Sequence, residues 1–258
     1  MNNLNLAICI SGGGTTMCEV IRACRNGFLQ NHHFQTFVNA TLVIASKPDA
    51  GGIEKARKMG VHEESIVVIP RKNFANPEAF GEAILRACKA RGVDLIAQCG
   101  FIPTMPANVV AAYEMAIFNQ RPGPLDHKRL GFGGKGMRGL AVHAAVLYFA
   151  QRVGRPFMTE ATVHRVTNVV DGGAILGTRP VEIWKEEISE KEELTVRAKR
   201  LAARVLPYEH NLVVETILKF SEYGWPQEIH RSEPLIRPGE EALLEEAKTA
   251  GIAAFPNG

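Results

Sequence analysis

The stretch Leu6-Ala-Ile-Cys-Ile-Ser-Gly-Gly-Gly-Thr-Thr-Met17 restricts the fold more than any other part of the chain. Leu6 to Ile10 is an unbroken apolar run, the pattern of a parallel strand covered on both faces. Three glycines end it, and Met17, Val20, Ile21 and Cys24 then fall on one helical face. A parallel strand reaches its neighbour through a crossover, usually a helix, so this junction predicts α/β architecture. It also suits an anion. The N–H groups of Gly12, Gly13 and Gly14 converge with the dipole of the next helix, and Thr15 or Thr16 can cap and donate. The plain alternative is a tight turn that binds nothing. No Gly-Lys-Ser/Thr follows, so this is not a Walker loop, and Met17 stands where a dinucleotide fingerprint needs its third glycine. A single phosphate of a small ligand fits better than a pyrophosphate.

The alternation continues. Residues 40–45, 65–70, 93–97 and 115–118 read as strands, with helical patterns over 53–59, 77–91 and up to Tyr113 between them. The expected fold is a doubly wound, mostly parallel sheet that binds ligands at the C-terminal strand ends. Residues 121–139 break the pattern with six glycines, two prolines and five basic residues. So long an irregular segment is a binding loop or lid, or else a surface loop without function. A helix over 140–152 follows, then a strand with Val163, Val166 and Val169 that breaks at Asp171-Gly172-Gly173. That break sets one carboxylate at a strand end beside two glycines; a hairpin turn is the bland reading. After Ala174-Ile-Leu176, a long helical stretch covers 192–220. The remaining tail, ending in an acidic helix, either wraps the domain or meets a second copy of the chain in a homodimer.

Composition narrows the function classes. The chain has 258 residues, room for one large domain or one domain plus an appendage. A net charge of +3 is too small to argue for nucleic acid. Five cysteines, an odd number without Cys-x-x-Cys, suggest reduced, buried thiols and a cytoplasmic protein. No apolar run reaches membrane length, and Asn2-Asn3-Leu4-Asn5 lacks the start of a signal peptide. No histidine or cysteine pair has metal-ligand spacing.

Four segments in order resemble the folate-dependent formyltransferase family: Ile-Ser-Gly-x-Gly at 10–14, Ser46-Lys-Pro-Asp-Ala-Gly-Gly-Ile-Glu-Lys-Ala-Arg57, Gly100-Phe-Ile, and Val163-His164 through Leu176. The resemblance covers roughly residues 5–220. It implies the Rossmann-like formyltransferase fold with a C-terminal helical tail, a formyltransferase-like domain over 1–220 and an extension over 221–258. The implied reaction moves a formyl group from 10-formyltetrahydrofolate to the amine of glycinamide ribonucleotide, in purine synthesis.

The same resemblance implies the site. The family uses an Asn-His-Asp group; Asn119 and Asp171 match, but Arg121 stands at the histidine position, and Pro103 where an arginine is usual. Arginine can stabilise an oxyanion yet cannot shuttle a proton at neutral pH. His143 or His164 is then the expected substitute carrier, with His143 favoured and His127 and Lys128 further candidates. The phosphate is expected on Gly12, Gly13, Gly14, Thr15 and Thr16, with Arg179 or Lys185 reaching it. The pterin is expected against Phe101, Ile102, Val169, Val170 and Asp171. Three rivals remain: a formyltransferase for another amine such as a nucleotide-linked amino sugar, a phosphoryl-ligand-binding relative without catalysis, and a nicotinamide oxidoreductase. The missing third glycine and the lack of a ribose-binding acid after the second strand disfavour the last.

Overall fold

A computed structural model describes residues 2–26, 30–31, 36–224 and 226–256. The chain packs as two compact units, one made of Met1–Gln120, Arg165–Val169 and Val213–Gln227, the other of Arg121–His164, Val170–Leu212 and Glu228–Gly258.

In the first unit the apolar opening run becomes β1 (Asn2–Ile10), whose residues from Leu6 to Ile10 are fully buried. It is followed by α1 (Thr15–Arg25), β2 (Gln30–Asn31), β3 (Thr36–Ala45), α2 (Gly51–Lys58) and β4 (Ile66–Val68). Next come α3 (Pro77–Ala90), β5 (Leu95–Gln98), α4 (Ala107–Ala112) and β6 (Ile117–Pro122). The strand order is β2-β3-β1-β5-β6, with β4 also on β3. All these pairings are parallel except the short β2 on β3. The order reverses at β1, since β3 lies on one side and β5 on the other. In an open α/β sheet that switch point is where ligands bind, outside the strands' C-terminal ends. The fold is thus the expected doubly wound, mostly parallel α/β class.

Local chemistry explains the elements. Asn76 caps α3 by accepting from Ala79 N–H at 2.8 Å, and Pro77 takes the first helical position, where its missing N–H matters least. Phe80, Ile84 and Cys88 are the buried face of that helix and join Ile44, Ile96, Val109 and Ile117 in one core. Phe118 stacks on Phe220 at 5.8 Å between ring centroids.

In the second unit α5 (Leu140–Arg152) leads to β7 (Met158–Arg165), which pairs antiparallel with β8 (Ile175–Glu182). The long helix α6 (Leu194–Tyr223), whose residues from Val213 onward belong to the first unit, and α7 (Glu241–Ala254) follow. Helix α7 sits on α5 through Gly251; a Cβ there would lie 2.4 Å from Ala141 O and 2.9 Å from the Ala145 Cβ. Phe132, Met137, Phe149, Ile236 and Leu244 form the core around them.

Three expectations need correction. The cap of α1 is Gly14, with φ of +63°, so neither Thr15 nor Thr16 caps by side chain; the left-handed turn already closes the helix start. Strand β7 stops at Arg165, four residues before Val169, because Val169 and Val170 are exposed and have no core to face. Cys18 and Cys24 are half-buried, and only Cys9, Cys88 and Cys99 are fully so. Strand β6 also runs on to Pro122, which places Asn119 and Arg121 within it. Among the described residues no helix is long and apolar enough to cross a membrane.

Candidate active site

Two groups of residues are candidates for the chemistry. In the first unit the loop after β1 exposes Gly12 and Gly13 and ends in left-handed Gly14. Close backbone approach explains the glycines. A Cβ on Gly14 would lie 2.8 Å from the Gly52 Cα, and one on Gly52 would lie 2.5 Å from the Ile10 Cδ1. Gly52 N–H donates to Gly12 O at 2.9 Å, so the start of α2 is tied to the loop. Helix α1 makes its first bond from Cys18 N–H to Gly14 O, and the N–H groups of its first turn have no partner within the helix. That is the arrangement of an anion site. Lys55, which sequence reasoning did not single out, brings Nζ to 3.9 Å from the position of a Gly13 Cβ. Its signal was its place in the first turns of α2, one turn beyond Gly51.

The loop after β5 meets the same place. Ser11 N–H donates to Gly100 O at 3.0 Å, and Ile102 N–H donates to Ser11 Oγ at 2.8 Å. Ser11 Oγ also lies 2.5 Å from Ser46 Oγ. Gly100 has φ of +79° and turns the chain so that Phe101 enters the core while Ile102 stays 49% exposed. Of the expected pterin contacts, Ile102, Val169 and Val170 therefore offer apolar surface, and Phe101 offers little.

In the second unit Arg121 and Asp171 form a buried ion pair. Arg121 Nη1 lies 2.7 Å from Asp171 Oδ2, with the two side chains only 6% and 8% exposed. Arg121 Nη2 donates to Phe132 O, and Gly134 N–H donates to the same Asp171 Oδ2 at 3.0 Å. His164 Nε2 faces the other oxygen, Oδ1, at 3.6 Å. Asp171 itself is left-handed, with φ of +56°, a conformation that short polar side chains tolerate best. Gly133 lets the loop come in, because a Cβ there would stand 3.0 Å from the Asp171 Cβ. Burial lowers the Arg121 pKa, and the Asp171 carboxylate offsets only part of that. Both Nη groups are engaged inside the protein, so the guanidinium holds Asp171 in place, while its Nε has no hydrogen-bond partner among the described residues.

Asn119 pairs across β6 with Gln98 of β5, within the first unit. His143 lies on α5 at 3% exposure, and burial takes its pKa down to about 4. Its Nδ1 has no hydrogen-bond partner among the described residues. An imidazole so hard to protonate is poorly suited to carry a proton at neutral pH. Arg179 is exposed on β8 with Nη1 donating to Thr178 O at 3.1 Å, and Lys185 is exposed beyond that strand.

Residues 4–216 match the formyl transferase family model. The chain is 29% identical over 229 residues to the chloroplast phosphoribosylglycinamide formyltransferase of Arabidopsis thaliana, covering 86% of this chain and 69% of that one. It is 29% identical over 213 residues to the chloroplast enzyme of the same name from Vigna unguiculata, covering 82% of this chain and 59% of that one. The crystal structure of phosphoribosylglycinamide formyltransferase from Brucella melitensis superposes with a TM-score of 0.65 at 30% identity, over 88% of this chain and 100% of that one. The chain belongs to the formyl transferase family.

Proposed function

We propose that this chain transfers a formyl group from 10-formyltetrahydrofolate to the primary amine of glycinamide ribonucleotide. The family match over 4–216 supports reading 1–220 as the formyltransferase-like domain and 221–258 as an extension. The observation that carries the chemistry is the oriented carboxylate of Asp171, with Oδ2 held by Arg121 and Gly134. The amine nitrogen attacks the formyl carbon, its lone pair forming the new C–N bond while the carbonyl becomes an oxyanion. Asn119 donates an amide N–H to that oxyanion. Asp171 takes the proton from the attacking nitrogen through Oδ1, directly or through one water, and returns it to N10 as the C–N10 bond breaks. Arg121 serves by fixing Asp171. The substrate phosphate rests on Gly12, Gly13, Gly14 and the N–H groups of Thr15 and Thr16, with Lys55 adding charge.

One observation favours a second reading. Arginine at 121 leaves the site without the family's histidine, which fits a protein that binds a phosphorylated ligand without transferring a formyl group. An acceptor panel separates the two. With 10-formyltetrahydrofolate present, tetrahydrofolate release is expected with glycinamide ribonucleotide and not without an acceptor. Release only with a nucleotide-linked amino sugar would move the substrate assignment, and saturable binding without release would establish the second reading.

A further inference from the structure

We infer that the C-terminal segment 228–254 is a positioning part of the Arg121–Asp171 centre, acting through Asp126 and Arg231. The inference rests on the proposed role of that pair. Phe132 O and Gly134 N–H, which both touch the pair, belong to the segment 123–137. That segment contains five glycines, and left to itself it would lose much conformational entropy on being fixed. Its own bonds are few: Arg129 N–H to Asp126 O, Phe132 N–H to Pro124 O and Met137 N–H to Gly134 O, with Arg129 Nε also donating to Asp126 Oδ1 at 3.0 Å.

The tail supplies the rest. Ile229 N–H donates to Ile175 O at 2.7 Å and starts the tail along β8. Arg231 Nε then donates to Leu125 O at 2.9 Å while its guanidinium pairs with buried Glu160. Arg129 Nη2 returns to Arg231 O at 2.8 Å. Leu235 N–H donates to Asp126 Oδ2 at 2.9 Å, and the Asp126 side chain is 2% exposed. Beyond these bonds, Ile236, Leu244 and Ala247 close over Phe132, which is fully buried. So the tail grips the loop at Leu125, Asp126 and Phe132, and the last of these presents its carbonyl to Arg121. The tail lies outside the family match, which ends at residue 216. A misplacement of about 1 Å at reacting groups can lower a rate on the order of a hundredfold.

The test uses the full chain labelled with 15N-arginine, the Arg121 Nε–Hε signal being assigned with Arg121→Lys. Arg231→Gln and Asp126→Ala are expected to speed exchange of that proton at least threefold and to lower kcat about tenfold with KM for the folate little changed. Asp126→Asn keeps an acceptor for Leu235 N–H and is expected to stay within threefold of wild type in both. Arg204→Gln breaks a buried ion pair with Glu187 away from the loop; it should lower stability and leave Arg121 exchange alone. Arg121 exchange rising less than threefold in both loop variants, or equally in Arg204→Gln, would overturn the inference. If wild type shows no turnover, the proposed function fails while the exchange comparison still decides this one.

Discussion

Replacing His143 with leucine should remove a defined share of the protein's acid sensitivity. Burial holds the His143 pKa at about 4, below the ordinary histidine value of 6.5. A histidine depressed by folding binds fewer protons in the native state than in the unfolded one, so stability falls as pH drops from the unfolded pKa toward the folded one. Between pH 7.5 and pH 5 the two values give a loss of about 2 kcal/mol from this side chain alone, approaching about 3 kcal/mol below pH 4. The assay is urea unfolding of wild type and His143→Leu at both pH values. Every other titrating group is common to the two proteins, so the difference of differences isolates the imidazole. Wild type should lose about 2 kcal/mol more than the variant over this interval. Equal losses would show that His143 is solvated or paired, and would restore it as a proton carrier.

Other consequences follow from the buried pair and the helix contacts. Asp171→Asn strands the Arg121 guanidinium and should cost about 3–5 kcal/mol in urea unfolding, whereas adding Arg121→Met should recover part of that loss; additive losses would deny the coupling. Gly251→Ala forces a Cβ against Ala141 O and should cost about 1–3 kcal/mol, read as a lower Tm; an unchanged Tm would mean α7 is not docked there. Lys55→Ala removes one exposed charge beside Gly13, so KM for the phosphorylated amine should rise about fivefold, the equivalent of roughly 1 kcal/mol, and the rise should shrink at high salt.

Much of the fold was legible because its signals are local. The run Leu6–Ile10, the glycine turn and the apolar spacing of Met17, Val20 and Ile21 need only short-range reasoning, and they became β1, the loop and α1. Leu140–Arg152 appeared with its expected bounds, its apolar stretch being long enough to settle the period. The ends were less legible. Val166 and Val169 are three residues apart, which in a strand puts them on opposite faces, and only Val166 has core to face.

The site was legible in part for the same reason. Asp171 announced itself through Asp-Gly-Gly, and Arg121 through its departure from the family pattern. Their pairing, and the grip of Phe132 and Gly134 on them, join residues up to fifty positions apart. The arginine read from sequence as an oxyanion stabiliser turns out to face a carboxylate, a geometry that spacing along one strand does not encode. Lys55 escaped notice because its closeness to Gly13 depends on Gly52 packing against Gly14.

The most direct test of the account is tetrahydrofolate release from 10-formyltetrahydrofolate and glycinamide ribonucleotide by wild type and Asp171→Asn, with ligand binding measured on both. The account predicts turnover by wild type and a kcat lower by about a hundredfold or more in the variant, at similar substrate affinity. A variant that binds and turns over as wild type does would remove Asp171 from the chemistry and contradict the account.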